Sequence, residues 1–295
     1  MSTAYLFPGQ GSQSVGMGQS HYEENDEFAS YVDRANNVLG FDLRQIMFEG
    51  PKEKLKQTEF TQPAIFLHSI ALYNTLDGQP DMVAGHSLGE FTALVACGAV
   101  AFEDALKIVS RRGELMQQAG DQNPGTMAAV IGMDDDVVEE VCKEATEEVG
   151  KEVIAANYNC PGQLVISGDV DAVKKAVALL KDRGCRLAKL LPVSGAFHSS
   201  LMQPAYDRLK ESLENLNISE PHFPIYSNYT AEPTSDPEEI RLNVLNQLLN
   251  PVLWTQTLQN MNKNGADRFV EVGPGKVLQG LVKRTLDDVK IEGYQ

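Results

Sequence analysis

Short apolar runs alternate with amphipathic stretches along the first 120 residues of the chain. The run at 4–7 leads into Pro-Gly-Gln-Gly and predicts a strand followed by a tight loop. Helical patterns follow over 18–48 and 61–77, and a second apolar run at 82–84 enters a glycine-flanked turn. The nearly uncharged stretch 91–100 is typical of a helix buried against a sheet, and an amphipathic helix is predicted from residue 102.

The middle third has another order of elements. Its patterns predict two helices, at 134–148 and 170–183, and four strands, at 126–132, 152–156, 163–167 and 186–193. The segment 157–162, Asn-Tyr-Asn-Cys-Pro-Gly, is predicted to be a loop between the second and third strands. The order β-α-β-β-α-β indicates a ferredoxin-like unit. We therefore predict a small domain at 125–193, inserted into a larger domain of residues 1–124 and 194–295.

Alternating strands and helices return after residue 198. The patterns predict helices at 199–216, 237–249, 252–264 and from 276, and strands at 223–227 and 268–272. Such alternation favours a mainly parallel sheet that is covered on both faces. The predicted fold class is α/β.

Composition and charge exclude several function classes. The 295 residues carry a formal net charge of −16, which disfavours a nucleic-acid partner because phosphate binding needs a basic face. There is no long apolar run and no basic, signal-like N-terminus, so we expect a cytoplasmic protein without a membrane anchor. The four cysteines are scattered and predict reduced thiols. No His, Cys or carboxylate cluster has metal-ligand spacing, so no metal is expected.

Gly-His-Ser-Leu-Gly at 85–89 is the strongest local motif. A Gly-x-Ser-x-Gly between a strand and a helix is the nucleophile elbow, which exposes a serine hydroxyl above the sheet. The following helix directs backbone N–H groups toward the same point, where they can stabilise an oxyanion. We predict that Ser87 is the nucleophile, against the alternative of a structural turn.

A serine nucleophile needs a base, and the chain has five histidines. His198 lies in a loop between a strand and a helix, where catalytic residues of α/β proteins are expected. We predict that it is the base, although a structural role is the alternative. The other four fit surface positions, a core position or the wrong side of the turn: His21, His222, His68 and His86. No acid can be selected as a third member, and a backbone carbonyl can orient the ring instead.

Arg112 lies within the apolar stripe of the helix that starts at residue 102, three positions after Val109 and four before Met116. A guanidinium on a buried face must be paired, because an unpaired one costs several kcal/mol. The partner is either an internal Asp or Glu, or the carboxylate of a substrate that it binds bidentately.

A set of motifs in this order resembles a known family over about residues 3 to 286. The motifs are Phe-Pro-Gly-Gln-Gly-Ser-Gln at 7–13, Thr-Gln-Pro-Ala at 61–64, Gly-His-Ser-Leu-Gly-Glu at 85–90, Arg-Gly at 112–113, Asn-Tyr-Asn-Cys-Pro-Gly-Gln at 157–163, Ala-Phe-His-Ser at 196–199, Asn-Pro-Val at 250–252 and Glu-Val-Gly-Pro-Gly at 271–275. Together they are similar to the stand-alone malonyl-CoA:acyl-carrier-protein transacylases of fatty-acid synthesis. The resemblance implies an α/β-hydrolase-like core with a ferredoxin-like insert.

The resemblance also implies roles for individual residues. It makes Ser87 the nucleophile and His198 the base, and it makes Arg112 the group that grips the malonyl carboxylate. Further residues are implied as backbone oxyanion donors, as the carbonyl that orients the histidine, or as pocket residues. They are Gln10 and Leu88 for the oxyanion, Gln247 for the carbonyl, and Gln62, Asn159 and Phe197 for the pocket.

The implied reaction is ping-pong transfer through a malonyl-serine ester to the phosphopantetheine thiol of an acyl carrier protein, without a cofactor. Carrier proteins of this kind are acidic, so docking needs a local basic patch on this acidic chain. Lys276, Lys283 and Arg284 recur at i, i+7 and i+8 and are the predicted patch, against a merely solvated face. The chain is expected to be a monomer. A thioester hydrolase, a polyketide acyltransferase and a non-catalytic docking subunit remain alternatives.

Overall fold

The computed structural model describes residues 2–295, which form two sheets and thirteen α-helices. The ten strands are β1 (Ser2–Phe7), β2 (Met82–Gly85), β3 (Gly125–Ile131), β4 (Val153–Cys160), β5 (Gln163–Asp169), β6 (Leu187–Leu190), β7 (Ile225–Tyr226), β8 (Pro233–Thr234), β9 (Ala266–Val272) and β10 (Lys290–Tyr294). The helices are α1 (Gln19–Glu24), α2 (Asp26–Leu39), α3 (Leu43–Phe48), α4 (Lys52–Leu55), α5 (Thr58–Asn74), α6 (Gly89–Ala96), α7 (Phe102–Gln122), α8 (Asp135–Val149), α9 (Val170–Asp182), α10 (Gln203–Glu214), α11 (Pro237–Asn246), α12 (Trp254–Lys263) and α13 (Val277–Thr285).

The larger sheet has six strands in the order β10-β9-β1-β2-β7-β8, and every neighbouring pair is parallel except β7 with β8. The smaller sheet is antiparallel, in the order β4-β5-β3-β6. With α8 and α9 it has the ferredoxin-like order that the sequence indicates. The predicted α/β class, with a parallel sheet and a separate smaller unit, is confirmed. The boundaries at 124/125 and 193/194 stay a prediction.

The observed elements depart from the sequence patterns in three places. The helical region 18–48 is divided into α1, α2 and α3, because Asn25 caps α2 by accepting from the Phe28 amide and Gly40, with a φ of 73°, ends it. The predicted loop 157–162 is wrong at its start. Residues 157–160 continue β4, because Asn157 also bridges to Val252 of the larger unit. Strands β8 and β10, at the two edges of the large sheet, were not predicted.

The parallel register places two loops side by side. Phe7 at the end of β1 is paired with Gly85 at the end of β2, so the loops that follow both strands begin side by side at the carboxyl ends of the parallel strands. Ligands bind beyond the carboxyl ends of the strands in open parallel sheets.

Helix α5 packs against α7, and both contribute to the largest apolar core. Within residues 2–295, no helix combines the length and the apolar character needed to cross a membrane.

Candidate active site

Ser87 lies in a turn between β2 and α6 that requires glycine at two positions. A Cβ atom at Gly85 would lie 1.9 Å from the carbonyl carbon of Gly89, and one at Gly89 would lie 2.1 Å from the carbonyl oxygen of Phe7. Both distances are far shorter than any non-bonded contact. Ser87 itself has a φ of 51°, a left-handed conformation that costs a non-glycine residue about 1–3 kcal/mol. The geometry is therefore that of a nucleophile elbow.

His198 lies beside this turn. Its Nε2 atom is 2.8 Å from Ser87 Oγ, and its Nδ1 atom is 2.8 Å from the main-chain oxygen of Gln247. Because a carbonyl oxygen only accepts, Nδ1 carries the proton and Nε2 is free to accept one from Ser87. Burial, and then the positive charge of Arg112, lower the pKa of His198 from 6.5 to about 3, so the ring is neutral at pH 7. The arrangement matches a nucleophile and its general base.

Arg112 lies on the buried face of α7 and is 1% exposed. Its Nη1 donates to Gln62 Oε1 at 2.7 Å, and its Nη2 donates to Gln247 Oε1 at 2.9 Å and to Ser87 Oγ at 3.2 Å. The Nε–H has no acceptor among residues 2–295, and no carboxylate in that range forms a salt bridge with Arg112. Burial lowers its pKa to about 10, which leaves it charged at neutral pH. The direct internal partner considered from the sequence is therefore absent from the described residues.

An internal acid lies one side chain further away. Glu90, in the first turn of α6, is 1% exposed, and its Oε2 accepts from Gln247 Nε2 at 2.6 Å and from the Asn228 amide at 3.2 Å. The side-chain amide of Gln247 thus stands between Glu90 and Arg112. Burial raises the pKa of Glu90 to about 7, although both hydrogen bonds and the charge of Arg112 act in the opposite direction.

Three parts of this network were missed by sequence reasoning: Glu90, Asn228 and the side chain of Gln247. Asn228 accepts from the Ser87 amide at 2.6 Å and donates to the Gly85 oxygen at 2.7 Å, so it holds both sides of the turn. Only Glu90 carried a signal, because it is the one charged residue between Asp81 and Glu103. Asn228 lies in a polar loop after β7, and nothing local distinguishes it.

A cleft of about 300 Å³ reaches Ser87 and lies between the loops that follow β1 and β2 and the strands β3, β4 and β5 of the smaller sheet. Its lining includes every pocket and oxyanion residue that the resemblance implies: Gln10, Leu88, Gln62, Asn159 and Phe197. Gln62 touches Arg112, whereas Asn159 Oδ1 lies 2.8 Å from His86 Nε2. His86 therefore contacts Asn159, as expected of a side chain that leaves the turn away from the serine hydroxyl.

Helix α13 borders the mouth of this cleft. Its residues Val277 and Leu281 line the cleft, and Val277 is 53% exposed. Lys276 precedes the helix, and Lys283 and Arg284 lie in its last turn, all three exposed. Arg284 follows Val277 by seven residues and so lies on the same face of the helix. The helix beside these three cationic residues thus lines the cleft, and their docking role stays a prediction.

The chain matches a known protein family over nearly its whole length. Residues 4–294 match the family model described as an acyl transferase domain. The chain belongs to this acyltransferase family. A serine held at an elbow beside a neutral histidine is an arrangement suited to acyl transfer.

Named relatives of this acyltransferase agree in sequence and structure. A malonyl CoA-acyl carrier protein transacylase of Staphylococcus aureus (strain MRSA252) is 42% identical over 294 residues, covering 99% of this chain and 95% of the relative. An acyl carrier protein S-malonyltransferase from Vibrio cholerae has a crystal structure with a TM-score of 0.96 and 39% identity, covering 100% of this chain and 97% of that one. A malonyl-transacylase in complex with a type II polyketide synthase acyl-carrier protein has a TM-score of 0.95 and 37% identity, covering 99% and 95%.

The residues of the site are suited to acid–base and nucleophilic chemistry. Among residues 2–295 of this acyltransferase, no three His, Cys, Asp or Glu side chains are grouped so that they could hold a metal ion. The groups that converge on Ser87 are an imidazole, a guanidinium and backbone or side-chain amides.

Proposed function

We propose that this acyltransferase moves a malonyl group from the thioester of CoA to the phosphopantetheine thiol of an acyl carrier protein, in fatty-acid synthesis. The observation that carries the proposal is Arg112, a fully buried charge with no carboxylate partner among the described residues, 3.2 Å from the hydroxyl of Ser87. An acyl group that ends in a carboxylate supplies the missing partner. The names of the relatives, malonyl transacylases of acyl carrier proteins, support the same substrate class.

In the first half of the reaction, Ser87 Oγ attacks the thioester carbonyl carbon while its proton passes to His198 Nε2. The carbon–sulfur bond then breaks, and the CoA sulfur leaves with the proton that His198 returns. A malonyl-serine ester remains. In the second half, the phosphopantetheine thiol gives its proton to His198, attacks the ester and releases Ser87. His198 thus acts as base and acid in turn, and the proposed reaction needs no cofactor.

The oxyanion of each half-reaction is stabilised by the backbone N–H groups of Gln10 and Leu88. Neither amide nitrogen donates a hydrogen bond to a protein acceptor within residues 2–295, and both residues line the cleft. The amide of Ser87 is not free, since Asn228 accepts from it. Two unused donors beside a nucleophile are what an oxyanion hole requires.

The malonyl carboxylate is held by Arg112 in a buried part of the cleft. The Nε–H of Arg112 lacks an acceptor, and the contacts of its other two nitrogens are to neutral oxygens, so a carboxylate adds the missing negative charge. Phe197 and Met116 line the same cleft, and their bulk favours a short acyl group.

Intact-protein mass spectrometry tests the proposal. The chain is mixed with malonyl-CoA or acetyl-CoA, and a phosphopantetheinylated carrier protein is then added. We expect a malonyl adduct that is absent in Ser87→Ala and that moves to the carrier. Decay to free malonate without transfer would indicate a hydrolase, and no adduct with either thioester would indicate a docking subunit. Comparing carriers from fatty-acid and polyketide systems distinguishes the two pathways.

Carrier docking is assigned to the basic patch formed by Lys276, Lys283 and Arg284. We expect Lys283→Glu/Arg284→Glu to raise the KM for the carrier protein about tenfold, because two exposed attractions to an acidic partner become repulsions. The KM for malonyl-CoA serves as an internal comparison, since the acylation chemistry lies within the cleft.

The matched control for this charge reversal is Lys210→Glu/Lys263→Glu. It changes the net charge by the same amount at exposed positions that do not line the cleft. A carrier KM that is equal in the two double variants would refute the docking role of α13.

A further inference from the structure

Glu90 is a buried acid that the proposed chemistry does not use. Its carboxylate forms no salt bridge within residues 2–295, and its two donors are the Gln247 side chain and the Asn228 amide. Burying the charged form of a carboxyl group without a paired cation is unfavourable, which is why the pKa of Glu90 is raised to about 7. The group is 1% exposed, so solvent does not relieve this cost. Glu90 contacts the rest of the site through these two hydrogen-bond donors.

The first effect is on the orientation of the Gln247 side-chain amide. Its Nε2 donates to Glu90 and to the Ser87 carbonyl oxygen, at 2.6 and 3.0 Å, and its Oε1 accepts from Arg112 at 2.9 Å. A rotation of the amide by half a turn would set its NH₂ against the guanidinium, which has only donors. The same rotation would set its oxygen against two acceptors. The Glu90 carboxylate thus selects the orientation that Arg112 needs.

The second effect follows because Gln247 has another contact through its main chain. The main-chain oxygen of Gln247 accepts from His198 Nδ1, while its side chain accepts from Arg112. One residue therefore holds both the general base and the carboxylate-binding cation. Gln247 follows the end of α11, and its side chain is anchored to α6 and α7 through Glu90 and Arg112.

We infer that Glu90 is a positioning residue that fixes Gln247 and, through it, both His198 and Arg112. This inference rests on the proposed function. Loss of the acceptor at Glu90 is expected to slow acylation of Ser87 and also to weaken the preference for a carboxylate-bearing acyl group. A residue that only stabilises the fold would change neither the preference nor the reactivity of the folded enzyme.

Two substitutions separate position from charge. Glu90→Asp keeps the charge but is one methylene too short to reach Gln247, whereas Glu90→Gln keeps an acceptor oxygen at the same reach and loses the charge. We expect Glu90→Asp to lower acylation by malonyl-CoA on the order of 100-fold, and Glu90→Gln to stay within about threefold of the parent. Thr92→Val, a buried residue of α6 outside this network, is the control and is expected to match the parent.

Two rates are measured on each folded variant. Labelling by a fluorophosphonate reports the Ser87–His198 pair without any acyl group, and acylation by malonyl-CoA against acetyl-CoA reports Arg112. If the parent is labelled but takes no malonyl group, the proposed function fails, while labelling still tests the inference. Activity kept in Glu90→Asp and lost in Glu90→Gln would overturn the positioning role in favour of a charge effect. Equal behaviour of Glu90→Asp and Thr92→Val would also overturn it.

A double-mutant cycle tests the route through Gln247. Gln247→Met removes the side-chain amide and keeps the main-chain oxygen that His198 contacts. If Glu90 acts through this amide, Glu90→Asp/Gln247→Met is expected to be no slower than Gln247→Met alone, because the same interaction is lost once. Effects that multiply in the double variant would show that Glu90 acts by another route.

Discussion

Replacing His198 by alanine is expected to slow acylation of Ser87 by roughly 10²–10⁴-fold, the usual contribution of a general base. The reason is that His198 Nε2 lies 2.8 Å from Ser87 Oγ and can accept its proton, whereas Arg112, the other side chain that contacts this hydroxyl, can only donate. The measurement is the rate of adduct formation with malonyl-CoA, followed by intact mass. The control is His222→Ala, which removes an exposed histidine outside the cleft. Acylation at the parent rate in His198→Ala would contradict the assignment of the base.

The same assignment has a pH signature. A base is active when unprotonated, and the pKa of His198 is lowered to about 3, so its activity is lost only as the pH falls toward that value. Glu90, with a pKa raised to about 7, does titrate near neutrality. The Glu90→Gln variant lacks that titration, and its fluorophosphonate labelling is expected to be level from pH 5.5 to 8. A loss of labelling centred near pH 6.5 in this variant would mean that His198 has the pKa of an exposed imidazole.

The sequence indicated side chains that meet in the cleft, such as Ser87 and Arg112, better than it indicated the residues that position them, and the reason is physical. Ser87 and Arg112 can be identified from short segments of sequence, because the serine lies in a turn flanked by glycines and the arginine lies within an apolar stripe. The packing around them depends on contacts between distant segments. Asn228 and Glu90 are 138 residues apart in sequence and meet only because β7 lies beside β2. No periodicity within either segment indicates that contact.

The fold follows a similar division. Strands β1 and β2 are short apolar runs whose type is clear from composition, and their parallel pairing follows from the helices between them. The segment 157–160 has the asparagines and the nearby Pro-Gly of a loop, yet it continues β4 because the main chain of Val252 pairs with it. Tertiary pairing overrides local propensity at that position. Edge strands such as β10 were not predicted for the same reason, because their hydrophobic alternation is weak and only pairing with the neighbouring strand defines them.

Replacing Arg112 by alanine is expected to remove roughly 2–4 kcal/mol of the preference for malonyl-CoA over acetyl-CoA, the order of magnitude for losing one partner of a buried charge pair. This range corresponds to a roughly 30–700-fold change in the ratio of acylation rates. The effect arises because Arg112 is the cation that lies next to Ser87 in the cleft, and a carboxylate buried without it has no counter-charge. Both rates are measured on the same enzyme preparation by intact mass.

The neighbouring Arg111→Ala is the matched control, because Arg111 carries the same charge on the same helix but is partly exposed and forms a salt bridge with Glu114. It is expected to leave the ratio as in the parent. Arg112→Met, which keeps most of the side-chain volume, separates the loss of charge from the opening of a cavity and is expected to lose the preference as the alanine variant does. If Arg112→Met keeps the preference of the parent, the carboxylate is bound elsewhere, and the buried guanidinium then serves only to hold Gln62, Gln247 and the Ser87 hydroxyl in place.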